Sequence, residues 1–256
     1  MQTLRQTGWM IARQGRNLTR EPIWIVMMVI QPMIWLILYG QLFSKVTPLR
    51  AGASSYVEFL MPGIVCMNAF FGGSWSGMAM ISDLDRHVID RFLAAPTSRL
   101  AIVLSQVVRA GVTAVLQAII ILAVGYLLGV RVHGGLLGFL VVFTAAFLLA
   151  TVFAGFSHGI ALLLRREASM IATVNFVGLP LMFLSSILIG VALMPGWIHA
   201  ISRFNPVNWG VEAARNAVLF DGPWGATALY LVLLLAATAA TSAFATWSFR
   251  AYQRSI

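Results

Sequence analysis

Six long apolar runs dominate the chain, roughly Ile23–Phe43, Phe59–Ile81, Leu100–Val130, Leu136–Leu164, Met170–Met194 and Ala226–Phe249. About 20 consecutive apolar residues in a helix cross a bilayer core. Within that core no water is available, so every backbone N–H and C=O must be bonded inside the protein. Uninterrupted runs of this length meet the demand as helices. Charged residues make up only 10% of the 256 and hydrophobic ones 60%, whereas soluble domains are about 25% charged. The sequence therefore predicts an all-α integral membrane protein with six transmembrane helices in a single domain over residues 1–256. The third and fourth runs exceed the minimum length and leave room for tilt or protrusion.

The basic residues orient these spans. The segments holding Arg5, Arg13, Arg16, Arg20, Arg86, Arg91, Arg99, Arg165, Arg166, Arg250 and Arg254 carry eleven Arg, whereas the opposite set carries five basic residues. Cytoplasmic loops keep the excess of positive charge, so the richer set is expected inside, with both termini cytoplasmic in a multi-pass plasma-membrane protein. In a soluble protein a net charge of +9 would suggest nucleic acid; here topology accounts for it and no nucleic-acid partner is expected. The first 22 residues hold four Arg and no apolar core, which does not read as a removable signal peptide. The single Cys66 allows no internal disulfide and matches no metal-ligand spacing.

Two amphipathic segments interrupt the apolar pattern. In residues 1–22, Leu4, Ile11 and Leu18 share one helical side with Gly8 and Gly15, while Arg5, Arg13, Arg16 and Arg20 share the other with Trp9. That arrangement suits a helix lying in the inner interface; a disordered basic leader is the alternative. In the connector after the second run, Leu84, Val88, Ile89, Phe92 and Leu93 form one arc. Asp83, Arg86, His87 and Asp90 form the other, with Arg91 at its edge. Asp83 is expected to cap this helix, with Asp85 in its first turn, and Pro96-Thr97-Ser98 to stop it. A polar face carrying both signs suits a protein groove better than an anionic lipid surface; a solvated loop that only sets topology is the other reading.

The stretch 195–224 contains Pro195, Pro206 and Pro223 with Trp197, Trp209 and Trp224. Trp concentrates at membrane–water interfaces, and two short helices, Gly196–Phe204 and Val207–Leu219, are expected to dip into the outer leaflet and return. Glu212 and Arg215 stand three apart, where they pair on one face. Within the third run, Ser105, Arg109, Thr113 and Gln117 recur every four residues. An intramembrane charge in such a stripe lines an interior route, or Arg109, about 14 Å from Leu100, snorkels to the inner surface.

Three motifs resemble a known family, the type-2 ABC transporter permeases, in particular the daunorubicin-exporter-like drug-resistance branch. They are RFLAAPTSR at 91–99, FNPVNWGVEAAR at 204–215 and FLMPGIV at 59–65. The family often has Thr where this chain has Asn208, and a connector Gly where it has His87-Val88. The resemblance implies a half-transporter working as a homodimer or heterodimer, each copy binding one cytosolic P-loop ATPase subunit that supplies ATP and Mg. It makes 83–97 the coupling helix, with Asp83, Asp85, Arg86, His87, Asp90 and Arg91 as docking residues. It makes Arg5, Trp9, Arg13 and Arg16 the anchors of the interfacial helix. It makes Asn205, Pro206, Glu212 and Arg215 the signature of the re-entrant segment. Candidates for lining a path are Ser105, Arg109, Thr113, Gln117, Phe70, Phe71 and Trp75. The implied activity is export of drug-like or lipid-like substrates, with lipid-linked polysaccharide or glycolipid export as the alternative.

Other chemistries fit poorly. A P-loop needs a Gly-rich cradle ending in Lys-Ser/Thr, and the one lysine, Lys45, lies between Ser44 and Val46; the chain is not itself a P-loop ATPase and carries no catalytic motif. An ion-coupled carrier or channel predicts intramembrane carboxylates and matching halves. Ser74 with His158 as base would make an intramembrane protease. However, Gly73–Gly77 and Gly155–Gly159 both fit the Gly-x-x-x-Gly pattern of close helix packing.

Overall fold

The computed structural model of the chain describes residues 22–46, 52–85, 99–219 and 224–253. In chain order its helices are α1 (Pro22–Leu42), α2 (Tyr56–Trp75), α3 (Gly77–Asp85), α4 (Arg99–Leu127), α5 (Gly135–Leu164), α6 (Glu167–Phe183), α7 (Gly196–Ser202), α8 (Pro206–Leu219) and α9 (Trp224–Gln253). Among the described residues, four stretches are long and apolar enough to cross a membrane: Tyr56–Asp85, Val103–Leu127, Gly135–Leu164 and Trp224–Tyr252. The first apolar run forms the 21-residue α1, and the fifth forms the shorter apolar helix Glu167–Phe183.

Helix α5 is the centre of the bundle. It touches α2, α3, α4, α6, α8 and α9, and small residues let these neighbours approach. A Cβ at Gly73 would strike the Ala150 carbonyl, and one at Gly77 would meet Ser157 Oγ at 2.5 Å, which brings α2 and α3 against α5. On the other side Gly155 meets Thr241, Gly159 meets the Phe244 ring, and Thr151 Oγ1 lies 3.0 Å from Thr238 Oγ1. Between spans in a bilayer no hydrophobic force separates protein from lipid, so packing and hydrogen bonds of this kind hold helices together. In both sets the residue numbers rise together, so α2, α5 and α9 run parallel. The chain returns between them through α4 and α6.

Helix α5 ends where Arg165 adopts a left-handed conformation, φ 54°. Its N–H donates to Ala161 O at 3.0 Å, its Nε donates to Leu162 O, and its guanidinium lies 4.7 Å from the Tyr252 ring centre. This is the left-handed helix stop, and it ties the ends of α5 and α9 together. Arg166 alone separates it from α6, whose first turn carries Glu167.

Three expectations need correction. The fifth run is not one helix to Met194: α6 stops at Phe183, after Pro180, for reasons that lie in α8. Helix formation in the second run passes Ile81 and continues to Asp85, with a break at Ser76. Asp83 therefore sits inside the last turn of α3 and does not cap a new helix, because the α3 ladder carries straight through it.

Candidate functional site

The break after α6 leaves backbone polar groups without helical partners, and irregular backbone at membrane depth persists only where protein satisfies it. The side chains of the 204–215 motif do so. Asn205 Nδ2 donates to Leu181 O at 2.7 Å and to Leu184 O at 3.0 Å, closing the end of α6. Its Oδ1 accepts from Val207 N–H at 3.0 Å and caps α8, where Pro206 occupies the first helical position. Asn208 Oδ1 accepts from Ser186 N–H at 3.0 Å, and Arg215 Nη2 donates to Ser186 O at 2.6 Å. Ser186 Oγ donates to Glu212 Oε1 at 2.5 Å. Leu181 O, Leu184 O and both backbone groups of Ser186 are thus taken by side chains of the 204–215 motif, and Leu188 O accepts from Tyr56 Oη of α2 at 3.0 Å.

Arg215 is the hub of this lock. It is 6% exposed, and its Nη1 donates to Glu212 Oε1 at 2.9 Å, the expected pair three residues apart. Its guanidinium carbon lies 3.9 Å from the Phe59 ring centre, and its Nε donates to Phe59 O at 3.4 Å. One side chain thus joins α8, the broken end of α6 and the start of α2. Asn205, Pro206, Glu212 and Arg215 come together here. Asn208 and Ser186 complete the set; the signal for them was a polar Ser185-Ser186 pair inside an apolar run. A second cluster nearby holds the start of α2: the buried Glu58 carboxylate accepts from Ser54 N–H at 2.8 Å and faces His133 Nδ1 at 3.3 Å.

At the opposite end of α2 a side chain enters the helix ladder. Ser157 Oγ, from α5, donates to Ser74 O at 2.5 Å and accepts from Gly77 N–H at 2.9 Å. Ser76 N–H turns to Gly73 O at 3.1 Å, and Ser76 Oγ donates to the same carbonyl at 2.6 Å. Insertion of a polar side chain is a recognised cause of a helix break, and here it separates α2 from α3. Among the described residues, neither ring nitrogen of the fully buried His158 has a hydrogen-bond partner. Ser74 and His158 are thus not hydrogen-bonded to each other, and Gly73, Gly77, Gly155 and Gly159 stand at close helix approaches.

The stripe on α4 lies along the flank facing α2 and α3. Ser105 is buried, Arg109, Thr113 and Gln117 are half-buried, and Gln117 Oε1 lies 3.9 Å from where a Cβ of Gly72 would stand. Arg109 is within electrostatic reach of Asp83 on α3 and of His158 on α5. Phe70 is fully buried, edge-on to Phe153 at 4.5 Å, with Phe71 beside it and Trp75 exposed. Asp83 and Asp85 end α3. Arg86, His87, Asp90 and Arg91, and likewise Arg5, Trp9, Arg13 and Arg16, lie outside the described residues.

Known proteins are similar to this chain in sequence. The model of the ABC-2 type transporter family matches residues 5–219. The putative transport permease ycf38 of Cyanophora paradoxa is 34% identical over 209 residues, 80% of this chain and 71% of that protein. The daunorubicin resistance ABC transporter permease protein DrrB1 of Streptomyces coeruleorubidus is 26% identical over 237 residues, 91% of this chain and 80% of its own length. A probable doxorubicin resistance ABC transporter permease protein of Mycobacterium tuberculosis, DrrC, is 22% identical over 222 residues, 87% of this chain and 78% of its own. A match over most of the chain, with the 204–215 motif built into a buried lock, places this membrane protein in the ABC-2 type transporter permease family.

Proposed function

We propose that this chain is the permease subunit of an ATP-driven exporter that moves drug-like or lipid-like molecules out of the cytoplasm or the inner leaflet. Two copies, identical or paired with a homologue, cross the plasma membrane six times each with both termini in the cytoplasm. Each docks one separate P-loop ATPase subunit, which binds ATP and Mg. The family match over residues 5–219, with drug-resistance permeases among the relatives, carries this reading. Docking falls to the segment 83–97, and the half-buried stripe of Arg109, Thr113 and Gln117 borders the inner part of the route. The apolar faces of α1 (Ile30, Ile34, Leu38) and α6 (Phe176, Phe183) are exposed, which suits a path between copies along these helices.

Co-purification from membranes tests the proposal. The chain is expected to bring down a P-loop ATPase at equal stoichiometry. Charge reversal of Arg86 and Asp90 together is expected to release that subunit while membrane insertion stays intact. Full retention of the ATPase by the reversed chain would remove the docking role; absence of any ATPase from the unaltered chain would remove the exporter reading.

A further inference from the structure

We propose that the flank between α4 and α5 is a phospholipid site that takes one acyl chain, a role separate from ATP coupling. A cavity of about 470 Å³ lies between the second half of α4 and the first half of α5. Leu122, Ala123 and Tyr126 form one wall, Phe139 and Phe143 the other, and Met61 of α2 closes the back. The helices converge deeper in the bundle, where a Cβ at Gly111 would stand 2.6 Å from the Phe147 ring. They part towards their connection because that connection is drawn elsewhere. Gly129 and Gly135 take φ of 91° and 57°, and His133 N–H donates to Val218 O at 2.9 Å, pinning the turn onto α8.

The walls choose the occupant. Tyr126 brings the one polar side chain to the lining, and apolar cavities stay dry and take apolar guests, since water needs two to four polar partners. The volume equals about sixteen water-sized units of about 30 Å³; a methylene is of similar size, so the space suits a fatty-acyl chain. Ile119, Tyr126 and Leu127 are exposed at the mouth, so the chain enters sideways from the bilayer. Val130 and Val132 line the cavity, and Arg131 between them is exposed. At the end of a span this guanidinium stands at headgroup level, where its planar fork matches a phosphate. Apolar wall and cation together select a phospholipid over a neutral apolar solute.

Photolabelling tests the site. The full chain is placed in vesicles of phosphatidylethanolamine and phosphatidylglycerol carrying a diazirine at mid-acyl chain, irradiated, and mapped by peptide mass spectrometry. Adducts are expected to concentrate on 119–126 and 139–143 relative to Leu229, Val232 and Leu235, exposed apolar residues of α9. Ala123→Trp, made at an exposed position, fills the cavity from its mouth and is expected to abolish that concentration with thermal stability unchanged. Arg131→Gln is expected to lower the phospholipid retained through detergent purification about fivefold, while labelling by a diazirine-bearing alkane stays the same. Even labelling of all three helices, or undiminished labelling of Ala123→Trp, overturns the cavity as a site. Undiminished retention by Arg131→Gln overturns phospholipid as its occupant.

Discussion

Replacing Arg215 by Met tests whether the polar lock holds the broken end of α6 and the start of α2 to α8. The substitution keeps much of the volume and removes the charge. It strands the Glu212 carboxylate, which loses its 2.9 Å partner and keeps Ser186 Oγ, and it frees Ser186 O at a point where no helix can take it up. Removing one partner of a buried ion pair costs about 3–5 kcal/mol, because the remaining charge is left uncompensated. Loss of the guanidinium from the Phe59 ring lies within that figure, since a cation over an aromatic contributes about 0.5–2 kcal/mol. At about 2–4 °C per kcal/mol for a domain of this size, the unfolding midpoint falls by about 10 °C. Cys66 supplies the assay. It is the sole cysteine, fully buried, and its Sγ lies 3.6 Å from where a Cβ of Gly210 in α8 would stand. A thiol-reactive fluorogenic dye followed during heating reads the loosening of α8 from α2 directly. The double variant Glu212→Gln with Arg215→Met removes the stranded charge and is expected to melt above Arg215→Met, a coupling of about 1–3 kcal/mol. If Arg215→Met melts with the unaltered protein, or the double variant loses the sum of the two singles, the lock is not the element that holds α6 and α2 to α8.

Gly77→Ala places a methyl group against Ser157 Oγ at 2.5 Å and the Ser157 carbonyl at 2.6 Å. Overpacking of that kind costs about 1–3 kcal/mol and is expected to lower the same dye-detected midpoint; Gly225→Ala, which meets nothing, is expected to leave it unchanged. Arg109→Ala is expected to lower cargo efflux from vesicles with subunit assembly retained. Unchanged efflux would return Arg109 to a headgroup-anchoring role.

Much of this architecture was legible because it is local. The ends of α4, α5 and α9 fall near the edges of apolar runs, where hydropathy changes within a few residues. Pro206 marked the start of α8, and the spacing of Glu212 and Arg215 announced their pair before any contact was visible. What was not legible depends on residues far away in the chain. Ile187–Met194 is apolar enough to continue a span, yet the helix stops at Phe183, since amides from Asn205 and Asn208 bind the freed backbone. The break at Ser76 is set by Ser157, a residue 80 positions from the N–H it receives. Asp83 looked like a cap by its type, but capping requires a ladder that begins there, and the α3 ladder was already running.

The Ser157 insertion gives the second span a mechanical articulation. Above it, α2 is gripped by α5, α8 and the lock; below it, α3 is a rigid arm of nine residues ending at Asp85, about 13 Å long. A tilt of this arm by about 10° about Ser76 moves its tip by about 2 Å and must shift both the two hydrogen bonds to the Ser157 hydroxyl and the packing of the buried Met80 and Ile81. Because that hydroxyl sits on the central helix, a tilt of α3 would bear first on α5, through Ser157.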